Sequence, residues 1–172
     1  MTFTILGHCP KTDQVGIGIT SVTIAAGGTC PFYSYGGDIV VVQAYGNQVP
    51  AVAGAKAADE GLSKKEILAR MAQADPSFEF RQVGVMRRTG EAFAVTGDRA
   101  RPWAGHVVGE GFVAMGNVLT GPEVVQDMAK AFQADASMPL AERLIQALEA
   151  GRDAGGQRAG EALRYDERSC MI

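Results

Sequence analysis

Apolar and polar positions alternate most clearly at the start of the chain. There residues 2–7 and 14–22 each predict a β-strand, around a turn at Cys9-Pro10-Lys11-Thr12-Asp13. In the second segment Val15, Ile17 and Ile19 fall on one face, and Gly16, Gly18 and Thr20 on the other. A face of small residues admits a close neighbour, either a substrate or a facing sheet. Antiparallel pairing of the two segments sets Thr2 opposite Thr20 or Ser21 and gathers hydroxyl groups at one sheet end. After a loop-like stretch running through Phe32, Tyr33 and Tyr35, residues 38–44 carry the unbroken run Ile39-Val40-Val41-Val42. Such a run predicts a strand covered on both faces, which requires a layer on each side of its sheet.

The period then becomes helical. Residues 51–60 are rich in alanine and stop at Gly61. Ser63 and Glu66 have the spacing of a capping box, with Leu62 and Ile67 as its hydrophobic staple, and Asp75-Pro76 ends that second helix. Residues 80–86 and 91–96 predict two strands joined through Arg88-Thr89-Gly90, residues 101–106 a loop holding Trp103, and residues 111–115 a further strand. Thr120 is expected to cap a third helix with the stripe Val124, Val125, Met128, Ala129 and Phe132. Pro139 opens a fourth helix, Gly155-Gly156-Gln157 is a loop, and residues 161–171 predict one exposed last strand. Blocks of strands and helices in this order indicate an α+β fold. Paired helices over a strand buried on both sides fit a four-layer α-β-β-α sandwich in one domain.

Composition narrows the function classes. The 172 residues carry 47% hydrophobic and 20% charged side chains, the balance of a globular domain with a two-sided core. A net charge of −3 with scattered Arg and Lys argues against nucleic acid as a partner. No apolar run reaches the ~18 residues of a membrane span, and no signal-peptide pattern opens the chain. Three cysteines without a CxxC pair predict reduced thiols and a cytoplasmic location. With only His8 and His106 present, neither a metal nor a cofactor is expected.

The chemistry-bearing candidate is Thr2. If Met1 is removed, Thr2 becomes a free N-terminal nucleophile whose own α-amine, of ordinary pKa about 7.7–8.0, can take the hydroxyl proton. The same residue also fits an ordinary strand start. Thr20 and Ser21 stand as hydroxyl neighbours that orient a substrate or bond the terminus. Asn117, between a strand and a helix, is positioned as an oxyanion donor or as a turn residue. Gln43, at the end of a buried strand, needs a partner, and Cys30 with His106 is the one thiol–imidazole pairing to consider.

Several stretches carry a family likeness: Met1-Thr2-Phe3-Thr4-Ile5, Val15-Gly16-Ile17-Gly18-Ile19-Thr20-Ser21, Pro102-Trp103-Ala104-Gly105-His106, and Gly116-Asn117-Val118-Leu119-Thr120-Gly121-Pro122-Glu123. The chain resembles the DUF1028 family, placed among the N-terminal-nucleophile (Ntn) hydrolase-like proteins. The resemblance runs in order over most of residues 1–160 and implies the α-β-β-α sandwich. Residues 161–172 depart from it, as a truncated or divergent end would. It makes Thr2 the expected nucleophile position of a small amidohydrolase acting on an amide substrate. In the proteasome-like branch an early-strand lysine and an acidic residue near the end of the second strand assist the threonine. Here Thr20-Ser21-Val22 occupies the acidic place and no lysine lies between Lys11 and Lys56, so activation falls to the terminal amine. The alternative is a non-catalytic homodimer or higher homo-oligomer, with helix faces such as that of Phe132 as its interface.

Overall fold

The computed structural model describes residues 1–159 and 163–172. Strands β1 (Thr2–Cys9) and β2 (Gln14–Ser21) pair antiparallel from Thr2 with Ser21 to Cys9 with Gln14, the hairpin that the alternation predicts. A four-residue helix α1 (Ala26–Thr29) follows, then β3 (Pro31–Tyr33) and β4 (Ile39–Gln43). Helices α2 (Gln48–Asp59) and α3 (Lys64–Ala74) lead through a 3-10 turn at Phe78–Phe80 into β5 (Gln82–Met86) and β6 (Ala92–Thr96). Strands β7 (Ala104–Gly109) and β8 (Phe112–Asn117) precede helices α4 (Glu123–Gln133) and α5 (Leu140–Asp153). Three short strands close the chain: β9 (Gln157–Ala159), β10 (Leu163–Tyr165) and β11 (Ser169–Met171).

The described residues form an α+β fold of five helices around two main antiparallel sheets, ordered β11-β2-β1-β8-β7 and β3-β4-β5-β6, with β9 and β10 as a separate hairpin. Three apolar clusters hold these elements. Phe3 and Ile5 pack with Val124, Met128, Phe132 and Leu144 of α4 and α5. Val40, Val42, Val83 and Val85 pack with Ala55, Ile67 and Met71 of α2 and α3. Leu6, Ile19, Ile39, Val41 and Met115 join the two sheets. Strand β4 is thus buried on both faces, as its apolar run requires.

Several local expectations are corrected. Helix α2 begins at Gln48 rather than after Pro50, because a proline in the first turn forfeits no intrahelical bond. Its cap is Asn47, whose side chain accepts the Val49 N–H at 3.1 Å. Thr120 does not cap α4, since the helix starts beyond its reach with Pro122 in the cap position; the Thr120 N–H bonds the Gly156 carbonyl at 3.1 Å instead. At α3 the capping box is present, with the Glu66 carboxylate accepting from the Ser63 N–H at 2.9 Å. The stretch around Phe32 and the predicted loop at 101–106 both contain strands, β3 and β7. In place of one last strand there are β10 and β11, and part of that prediction falls on residues 160–162, outside the described ones. Strand β11 pairs along the edge of β2, with Ser169 opposite Ser21.

The glycine face of β2 meets a helix rather than the facing sheet. A Cβ built on Gly16 would stand 2.9 Å from Leu144, and one on Gly18 would stand 3.2 Å from Leu148, so helix α5 seats against this face. Phe132 is likewise unavailable as an interface. It is 1% exposed, packed at a tilt against Phe112 and covered by the Arg143 guanidinium 4.0 Å from its ring centre.

Candidate functional site

Strand parity decides which candidates meet. Thr4 and Leu6 of β1 face the second sheet, whereas Phe3 and Ile5 face α4 and α5. Thr2 therefore points between the sheets, with its register partners Ser21 on β2 and Asn117 on β8. Thr20 is the partner of Phe3 and turns the opposite way, into a hollow also lined by Phe3, Ile145 and Leu148. Its hydroxyl donates to the Ser169 carbonyl at 2.9 Å. Of the four residues singled out from the sequence, Thr2, Ser21 and Asn117 converge and Thr20 does not.

The hydroxyl protons around Thr2 can be assigned by counting. Ser21 Oγ lies 2.6 Å from the Met1 carbonyl, which only accepts, so the single Ser21 proton goes there. The same oxygen accepts the Thr23 N–H at 2.9 Å. The 3.1 Å contact between Thr2 Oγ1 and Ser21 Oγ must then be donated by Thr2. While Met1 is present, the Thr2 nitrogen is an amide and no base touches its hydroxyl.

Behind Thr2 a chain of polar groups crosses between the sheets. Thr4 Oγ1 donates to Gln43 Oε1 at 2.7 Å, and Gln43 Nε2 donates to Gln82 Oε1 at 2.8 Å. Gln82 Nε2 lies 2.9 Å from Thr96 Oγ1, 2.9 Å from the Gly116 carbonyl and 3.0 Å from the Gly105 carbonyl. Asn117 Nδ2 reaches Gln82 Oε1 at 3.3 Å. Gln82 is wholly buried and is the hub of this chain. The expected partner of Gln43 is thus a second glutamine. Sequence reasoning missed Gln82; its one signal was an amide side chain at the head of the apolar run Val83-Gly84-Val85-Met86.

His106 ends the chain. Thr96 Oγ1, which accepts from Gln82, also lies 2.8 Å from His106 Nδ1, a hydrogen bond whose direction follows the imidazole tautomer. Burial, helped by Lys64, lowers the His106 pKa below its ordinary 6.5. The folded protein thus binds this proton less readily than the unfolded chain. The associated stability is present above the ordinary value and lost as pH falls through the folded one. Acidification from about pH 7.5 to about pH 5 should lower the urea midpoint more in the wild type than in His106→Gln. Equal losses in the two would contradict the assignment. Cys30 and His106 do not form a pair: the Cys30 thiol sits beside Thr29 at 3.9 Å, and burial raises its pKa.

The backbone around this sheet end is held in an unusual state. Ala25 follows β2 (φ 61°), Ala44 and Tyr45 follow β4 (φ 64° each), and Val118 follows β8 (φ 56°). Non-glycine residues in the left-handed region cost of order 1–3 kcal/mol each and gather at functional sites. Tyr45 is fixed by its neighbours. Its carbonyl accepts from Arg81 Nη1, its ring meets Phe80 edge-on at 5.8 Å, and its hydroxyl accepts from Arg101 Nε at 2.8 Å. The Met1 amine lies close by. Burial lowers its pKa below the ordinary 8.0, with Cys30 opposing and Arg101 adding to the shift. No group of three or more His, Cys, Asp or Glu suited to a metal occurs among the described residues. None of their helices is long and apolar enough to cross a membrane.

The model of DUF1028, described as a family of unknown function, matches residues 2–170. The chain belongs to the DUF1028 family. A crystal structure of a DUF1028 protein from Silicibacter pomeroyi resembles this DUF1028 chain with a TM-score of 0.84 at 26% sequence identity, covering 90% of this chain and 69% of that one. No curated protein matches the chain.

Proposed function

We propose that this DUF1028 protein is an amidohydrolase of the Ntn type and that its sheets and helices stack as the four-layer α-β-β-α sandwich of that superfamily. The observation that carries this reading is the convergence of Thr2, Ser21 and Asn117 at a sheet end whose flanking loops hold four non-glycine residues in the left-handed region. In the processed chain the Thr2 α-amine takes the proton from Oγ1 as the oxygen attacks the amide carbon. The oxyanion forms near Asn117, whose Nδ2 gives one N–H to Gln82 and keeps the other for the intermediate. Loss of Met1 also frees the Ser21 proton. Collapse of the intermediate expels the amine with the proton held by the terminal ammonium, and water then cleaves the Thr2 ester.

The base has to be neutral to act. Burial depresses the Met1 amine at this end of β1, and the Thr2 amine that replaces it is taken to be buried likewise. The rate constant kcat/KM should therefore rise with pH to a plateau, with its midpoint below the ordinary amine value of 8.0. The test pairs intact-mass measurement with hydrolysis of a panel of activated anilides and esters. Hydrolysis should track the fraction of chains that begin at Thr2. Turnover by protein retaining Met1 in every chain would overturn the reading.

Self-association is proposed alongside it. Tyr33, Tyr35, Ile24 and Val49 are all more than half exposed, and Tyr33 ends the edge strand β3. A homodimer through this region would give a molecular mass of twice the monomer by light scattering.

A further inference from the structure

The arginines near the Thr2 end of the sheets are not equivalent. Arg81 is paired with Asp75 at 2.7 Å, and Arg99 with Glu79 at 3.9 Å while lying over the Phe80 ring. Arg101 is different. It is exposed, and no carboxylate among the described residues lies within ion-pair distance of it. It is nevertheless fixed in place. Its Nε donates to the Tyr45 hydroxyl at 2.8 Å, and its guanidinium carbon lies 5.5 Å from the centre of the Tyr45 ring. Its carbonyl accepts the N–H of Val118 at 3.3 Å, next to the Asn117 that pairs with Thr2. With Nε engaged by tyrosine, both terminal nitrogens are left as a planar fork, the geometry that matches a carboxylate with two parallel bonds. Tyr45 is itself set at positive φ, with its carbonyl bonded by Arg81 and its ring edge-on to Phe80.

We infer that Arg101, clamped by Tyr45, binds the carboxylate of the substrate, so that the amide cleaved at Thr2 belongs to a carboxylate-bearing molecule. This rests on the Thr2 reading for the cleaved bond but not for the binding. Tyr45 acts as a positioning residue, since it reaches the ligand only through Arg101.

The experiment titrates the full-length protein, of known N-terminal mass, with N-acetylglycine and with N-acetylglycinamide. These two differ in carrying or lacking the carboxylate. Binding is followed by calorimetry and by NMR line shifts. The wild type should bind the acid at least about 10-fold more tightly than the amide. Arg101→Gln should bring that ratio to about one, and Arg101→Lys should leave it intermediate, because the ammonium keeps the charge and loses the fork. Tyr45→Phe should lower the ratio while the Arg101 charge remains. Equal binding of acid and amide by the wild type, or a preference that survives in Arg101→Gln, overturns the proposal. Either result stands apart from the Thr2 reading, which is decided by hydrolysis. A Thr2→Ala protein that loses turnover yet keeps the acid preference supports both.

Discussion

Gln82→Ala is expected to lower the free energy of unfolding by about 3–5 kcal/mol, read as a fall in the urea midpoint. The magnitude follows from what is left behind. Gln82 Oε1 is the acceptor for Gln43 Nε2 and Asn117 Nδ2, and Gln82 Nε2 serves Thr96 and the Gly105 and Gly116 carbonyls. The side chain is 0% exposed. Truncation would therefore leave several buried polar groups without partners, each costing about 1–3 kcal/mol before relaxation or water entry recovers part of it. The cavity adds a smaller penalty. The effect should also reach function, because Asn117 loses the acceptor that orients its amide. A change under about 1 kcal/mol would mean that the amides of this network do not depend on Gln82.

Thr2→Ala should reduce kcat/KM on any hydrolysed amide by about 10³-fold or more, the scale seen when a nucleophile is removed outright. Thr2→Ser should keep a substantial part of the rate, since it retains both hydroxyl and amine. The fold should tolerate the alanine. Thr2 donates one hydrogen bond, to Ser21, whose oxygen still has Met1 or Thr23 as partner. A cost of about 1 kcal/mol is the scale for one such bond. This separation is what distinguishes a nucleophile from a strand residue. If Thr2→Ala unfolds the protein, the threonine is structural. If it folds and still turns over substrate, the nucleophile lies elsewhere.

Much of the frame was legible in the chain. The β1–β2 hairpin was readable because residues 2–7 and 14–22 carry strand-like patterns and one turn joins them. The two-sided burial of β4 was readable because four consecutive aliphatic residues leave no polar face. Strand β7 escaped notice because Ala104-Gly105-His106-Val107-Val108-Gly109 lies at a sheet edge, and its pairing to β8 supplies what its own pattern lacks. Strands β3, β10 and β11 are three residues each, too short for a period to register.

The site was legible to the level of a neighbourhood. Pairing placed Thr2 near Thr20 or Ser21, and a shift of one residue separates the two opposite faces of the sheet. The register gives the position between the sheets to Ser21 and sends Thr20 toward α5. Gln82, Tyr45 and Arg101 were not legible, because what they do depends on partners distant in sequence. Gln43 is 39 residues from Gln82, and Tyr45 is 56 from Arg101.

The central claim is that the Thr2 hydroxyl is the attacking group, and trapping its ester tests this most directly. The protein would be mixed with a slowly deacylating activated ester, quenched in acid, digested and mapped by mass spectrometry. The account predicts an acyl group on the N-terminal peptide, localised to Thr2 and absent from Thr2→Ala. Turnover with no adduct at Thr2, or with an adduct on another residue that persists in Thr2→Ala, would contradict it.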